Sequence, residues 1–198
     1  MNGPVVVVAP LPQVLPRGRE RVELQRNHAR RAVWASAAAQ HAAIAELRKN
    51  ADDVPQPSRG WHWSLSHSPA RVAGVVWNAS IGVDVEERRD VRPDLVDRIL
   101  NADELALFAA RGEDGFLRTW TGKEALLKEF GVGLQALSRC RIVRVGGSEL
   151  EMRFDTLTRL VHQRIFDDHI ISVCTAEGRA PSYVVHAQPL EARREVAS

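Results

Sequence analysis

Asp84 and Glu86 sit two residues apart in the apolar segment Ile81-Gly82-Val83-Asp84-Val85-Glu86. The alternation predicts a strand, on which residues i and i+2 point the same way. The two acids then project together, roughly 6–7 Å apart at Cα. Ile81, Val83 and Val85 bury the other face, and Gly82 leaves room beside the acids. Two neighbouring carboxylates repel unless a cation or a donor lies between them. A solvated strand face beside Glu87, Arg88 and Arg89 is the plain alternative. A second group, Phe116, Trp120, Glu124 and Lys128, recurs every four residues and forms one stripe on a helix. A solvated Glu-to-Lys pair at that spacing contributes only about 0.2–0.5 kcal/mol. Phe and Trp on the same stripe must pack, so Glu124 and Lys128 are expected at a buried margin or a cleft. Lys123 and the helix-weakening Gly122 stand beside them, and Gly131-Val132-Gly133-Leu134 reads as a helix stop and tight loop. The third group is Ser64-Leu65-Ser66-His67-Ser68 at a strand end, where hydroxyls and an imidazole hold either phosphate oxygens or their own turn.

Arg26 and Arg30 lie one helical turn apart near the N-terminus. Three carboxylates, two lysines, a Ser/His turn and a basic helix suit Mg²⁺ with a pyrophosphate substrate. Mg²⁺ takes few carboxylates and completes its shell with phosphate oxygens. No Walker A, GxGxxG, GxSxG or HExxH motif is present, so the residues point to a phosphoryl-type transferase outside the P-loop class.

Residues 5–8 read as a buried strand closed by Pro10 and Pro12, and residues 19–49 as helical. Residues 52–60 form a loop. Residues 61–66 alternate as a strand with Trp61, Trp63 and Leu65 buried. Residues 72–77 and 81–86 suggest a hairpin across 78–80. Helical stretches at 103–107 and 116–130 follow, separated by the Gly112/Gly115 break. Strands are expected at 141–145 and 150–154 across Gly146-Gly147, then as a final pair at 170–175 and 183–186. The fold class expected is α+β. Two similar halves in one chain carry antiparallel sheets with packed helices. They divide into residues 1–80, residues 81–190 with the carboxylate and lysine motifs, and a charged, frayed tail at 191–198.

With 198 residues the chain buries roughly 70% of its unfolded surface without needing staples. Hydrophobic residues make up 44% and charged residues 26%, which excludes a disordered, collagen-like or coiled-coil chain. Cys140 and Cys174 form no CxxC pair and read as reduced core thiols. The run at 5–8 is too short for a secretion signal, and nothing approaches a membrane-spanning stretch. These readings place the protein in the cytoplasm, as a monomer without membrane or nucleic-acid partners. The pI of about 8.8 fits a polyanionic small molecule or an acidic partner better than a nucleic acid. Only three of 27 basic residues are lysines, and two of them, Lys123 and Lys128, share one helix.

In order and spacing, Ser64-Leu65-Ser66-His67-Ser68, Ile81-Gly82-Val83-Asp84-Val85-Glu86 and Trp120-Thr121-Gly122-Lys123-Glu124-Ala125-Leu126-Leu127-Lys128 resemble the signature of the 4′-phosphopantetheinyl transferases. The likeness is to the long, pseudo-dimeric surfactin-synthetase type and covers 64–134. It implies an enzyme that moves phosphopantetheine from coenzyme A to a serine of an acyl- or peptidyl-carrier protein. Adenosine 3′,5′-bisphosphate is released. By position, the resemblance implies Asp84, Glu86 and Glu124 as ligands of Mg²⁺ (or Mn²⁺). Lys128 would contact phosphate, and Ser66, His67 and Lys123 would bind coenzyme A with Arg26 and Arg30. Glu124 and Lys128 would be catalytic, with Glu124 the base directly or through a metal-bound water. Two departures stand out. Gln56-Pro57 replaces the basic residue and proline common upstream of the Ser/His turn, and the N-terminal half is short for this type. The alternatives are a non-catalytic coenzyme A- or carrier-binding module of the same fold, and an Arg-rich RNA-binding protein. The latter gives Asp84 and Glu86 no task.

Overall fold

The computed structural model describes residues 3–89, 96, 99–109 and 115–191. Valine-rich β1 (Val5–Pro10) leads into α1 (Gly18–Ala39), then β2 (His62–His67), β3 (Arg71–Trp77) and β4 (Ile81–Glu87). Helices α2 (Ala102–Ala109) and α3 (Gly115–Phe130) follow, then a 3₁₀ turn at Leu134–Arg139. The chain ends in β5 (Cys140–Val145), β6 (Glu149–Phe154), β7 (Leu157–Phe166), β8 (His169–Thr175) and β9 (Ser182–Val185). One sheet runs β2-β3-β1-β9 and the other β4-β8-β7-β6-β5.

Strand alternation builds the layers. Val7, Ala9 and Val72 face α1, where they meet Ala29 and Ala32. Val6, Val8, Ala73 and Val75 face the other way, against Ile81, Val83, Val85, Ile171 and Val173 of the second sheet. The far side of that sheet packs on α3 through Ala125, Leu126, Leu150, Met152 and Cys174. The order is helix, sheet, sheet, helix, with the apolar layer between the sheets shared by both halves. α1 and α3 each press on a strand at a glycine. A Cβ on Gly74 would lie 2.3 Å from the Val33 nitrogen, and one on Gly82 would lie 1.9 Å from the Ala125 oxygen.

The α+β class with antiparallel sheets and packed helices is as expected, but three local readings change. The helix placed at 19–49 ends at Ala39. Gln40 donates to the Ser36 and Val76 carbonyls, and His41 turns left-handed with φ 54°. Residues 72–77 and 81–86 are not a hairpin, since β4 leaves the first sheet and pairs antiparallel with β8. The last two strands are not a pair either, since β9 runs parallel to β1 with Val6 opposite Tyr183. A further strand, β7, lies between β6 and β8. Gly112 and most of the tail fall outside the described residues. Both cysteines are free and buried. No helix among the described residues is long and apolar enough to cross a membrane.

Candidate active site

β4 is an edge strand, and the Val83 N–H and carbonyl both point away from β8. Ser64 Oγ accepts the N–H at 3.1 Å, and Lys128 Nζ donates to the carbonyl at 3.2 Å. The next residue, Asp84, is 4% exposed. Its Oδ1 accepts from Ser66 Oγ at 2.7 Å and from Lys128 Nζ at 2.7 Å. β2 therefore caps the β4 edge with hydroxyls, while α3 brings a lysine over it. The missing side chain at Gly82 lets α3 approach this closely.

Glu86 lies on the Asp84 face, as the alternation requires, and its Oε1 accepts from Trp120 Nε1 at 3.2 Å. Glu124 is one turn before Lys128, 3.7 Å from its ammonium. The four residues Asp84, Glu86, Glu124 and Lys128 thus meet where β4 and α3 face each other. Their electrostatics are unsettled by burial. Burial, then the charge of Asp84, pushes Glu86 up to about 7. Burial also raises Glu124, against the pull of Lys128 and with the push of Asp84. Burial opposes the Lys128 ammonium, but Asp84 and Glu124 outweigh it and hold its pKa above the ordinary value.

The donor set suits a divalent cation. Asp84 Oδ2 is buried with no hydrogen-bond partner, so its lone pairs await a positive ligand. Three acids facing one another gain from added positive charge. Among the described residues no three His, Cys, Asp or Glu groups close on one point as a ready-made cage. Mg²⁺ needs none, because substrate phosphates supply part of its shell.

The other residues expected at the site divide. His67 ends β2. Burial, with the charges of Lys128 and Arg26, lowers its imidazole pKa, which sets both cations near the ring. Gln25 Nε2 donates to the Ser68 carbonyl at 3.2 Å, tying α1 to this turn beside the exposed Arg26. Arg30 is instead spent on the Leu47 carbonyl at 2.8 Å, holding the irregular segment after α1. Lys123 points elsewhere too. It is 1% exposed, and its ammonium donates to the Ile99 carbonyl and to Glu104 Oε2, each at 2.8 Å. Neither residue is brought to the carboxylates. Sequence reasoning missed the bond from Trp120 to Glu86, although their places on one stripe and one strand face signalled it. It also missed Glu129, whose carboxylate takes Ser80 Oγ at 2.5 Å and Arg159 Nε at 3.3 Å and fixes the end of α3. A cavity of about 210 Å³ opens beside Lys128, lined by Pro55, Pro57, His62 and Gly131.

Residues 80–174 match the family model of the 4′-phosphopantetheinyl transferase superfamily. The chain is similar to 4′-phosphopantetheinyl transferase psf-1 of Bacillus pumilus, with 35% identity over 95 residues. That match spans 46% of this chain and 41% of the relative, so the chain covers less than half the length of the curated protein it resembles. The resemblance carried by the motifs thus holds over the segment from β4 to β8, which contains Asp84, Glu86, Glu124 and Lys128.

Proposed function

We propose that this protein is a 4′-phosphopantetheinyl transferase that moves phosphopantetheine from coenzyme A to a serine of an acyl- or peptidyl-carrier protein. One observation carries the reading. Asp84 is buried under Lys128 with one oxygen unpartnered, beside two acids whose charge burial disfavours. A structural ion pair has no use for three acids around one lysine. A site for a metal-bound pyrophosphate does.

The carrier serine oxygen attacks the phosphorus that bears the pantetheine. The bond from that phosphorus to the bridging pyrophosphate oxygen breaks, and adenosine 3′,5′-bisphosphate leaves with the electron pair. Glu124, made more basic by burial, accepts the hydroxyl proton. Lys128 presents a compact charge that stabilises the leaving phosphate. Ser66, bonded to Asp84, would lie on the donor side with His67 and Arg26. Asp84, Glu86 and Glu124 would hold Mg²⁺, which supplies positive charge to the pyrophosphate and aligns nucleophile and leaving group.

The test is incubation with coenzyme A, Mg²⁺ and a panel of apo-carrier proteins, read by intact mass. At least one carrier is expected to gain the phosphopantetheine mass, and only when Mg²⁺ or Mn²⁺ is present. Tight coenzyme A binding with no mass gain on any carrier would sink the catalytic reading in favour of a binding module.

A further inference from the structure

Lys123 is a lysine in an arginine-rich chain, and it is buried. Its side chain and that of Glu104 are each 2% exposed, with Nζ 2.8 Å from Oε2. The same Glu104 carboxylate accepts the Asn101 N–H at 3.1 Å and the Ile142 N–H at 3.1 Å. Asn101 Oδ1 returns a bond from the Glu104 N–H at 2.9 Å, closing a capping box at the start of α2. One carboxylate thereby joins α3, the start of α2 and β5. Two acceptors, Ile99 O and Glu104, face the ammonium. An arginine would bring five donors into the same enclosure and leave several unpaired.

Successive helical residues point about 100° apart, so Lys123 and Glu124 anchor different flanks of α3. Glu124 and Lys128 face Asp84, and Lys123 grips Ile99 and Glu104 on another flank. We propose that Lys123 is a positioning residue. With Glu104 it locks the rotation of α3 that aims Glu124 and Lys128 at Asp84, and it makes no contact with coenzyme A. A carboxylate some 6 Å from the helix axis moves about 1 Å for a 10° rotation. A misplacement of that size can cost on the order of 100-fold in rate.

The inference rests on the transferase reading, and kinetics separates the two. Lys123→Met, Glu104→Gln and the double variant are compared with the parent at varied coenzyme A and a fixed carrier. Expected are a KM for coenzyme A within about twofold of the parent and a kcat lowered about tenfold or more in Lys123→Met. The double variant should be no slower than the slower single one, since both changes break one unit. Lys123→Arg should not rescue. A KM raised about tenfold in Lys123→Met, with Glu104→Gln at parental values, would make Lys123 a ligand of coenzyme A and overturn the proposal. If a single variant fails to fold, the double variant decides by the same KM criterion, because it buries no unpaired charge. A parent that modifies no carrier refutes the transferase reading alone. Amide exchange then decides the anchor. Lost protection at 99–105 in Lys123→Met supports it, and unchanged protection overturns it.

Discussion

Asp84 and Glu86 illustrate how one residue's charge sets another's chemistry. Burial, and next the charge of Asp84, pushes Glu86 up to about 7 from an ordinary 4.5. The folded protein therefore holds the Glu86 proton more tightly than the unfolded chain does. That contribution to stability is full below about pH 4.5 and is lost as pH rises through about 7. On the proposed function, Mg²⁺ would select the ionised form near neutrality and should pull the titration of Glu86 downward. Asp84→Asn should lower it as well, though burial keeps it above 4.5. On the proposed function, the same variant should slow carrier modification by about 100-fold or more while the protein stays folded, because it removes the charge that faces Lys128 and would face the cation. Carboxyl ¹³C titration of the parent and variant checks the first part, and initial rates check the second. A Glu86 midpoint near 4.5 in the parent, or a variant with parental rates, would remove the basis for this electrostatic picture.

Glycine contacts set the reach of the elements. A Cβ at Gly82 would meet the Ala125 oxygen at 1.9 Å and the Glu129 nitrogen at 2.6 Å, both backbone atoms that cannot rotate away. Gly82→Ala should lift α3 off β4, costing roughly 1–3 kcal/mol in urea denaturation and withdrawing Lys128 and Glu124 from Asp84. Gly74→Ala meets the Val33 nitrogen at 2.3 Å on the other helix and should cost a similar stability. The contrast is in activity. At temperatures where both variants are folded, Gly82→Ala should lose most transfer and Gly74→Ala should keep most of it. Equal losses would show that α3 height does not govern the site. The same contacts explain what was legible. Alternation around Asp84 revealed a strand with both acids on one face, and the four-residue stripe revealed α3. Pattern could not say which strand would pair with β4, because residues 78–80 can turn a hairpin or cross between sheets. β7 escaped notice because its entry turn uses Asp155 at φ 51° instead of glycine or proline, and polar side chains interrupt it. Lys123 and Glu124 adjoin in sequence, but only the packed helix shows what their different flanks meet.

At the scale of the whole molecule, the two sheets share what stabilises them. Val6, Val8, Ala73 and Val75 from one sheet and Ile81, Val83, Val85, Ile171 and Val173 from the other form a single apolar layer. The chain's last strand reinforces this by returning to the first sheet. β9 covers the edge of β1, packs Tyr183 against the shared layer, and is followed by the His186 N–H bond to the Val8 carbonyl at 2.8 Å. Arg71 on β3 adds an ion pair at 2.7 Å to Asp167, in the turn between β7 and β8. The two sheets should therefore unfold as one. Trp34, Trp61, Trp63 and Trp77 report on the first sheet and α1, and Trp120 on α3. Fluorescence of a variant keeping only Trp120 and far-ultraviolet circular dichroism should give coincident urea transitions. A chain ending after Arg179 loses the Tyr183 burial, worth roughly 3–5 kcal/mol at about 25 cal/mol per Å². It also exposes the valine edge of β1, an invitation to intermolecular pairing. Its midpoint should fall by roughly 6–20 °C, again in one transition, with aggregation on heating. If Trp120 instead melts separately from the rest, the sheets are independent units and the shared layer does not couple them.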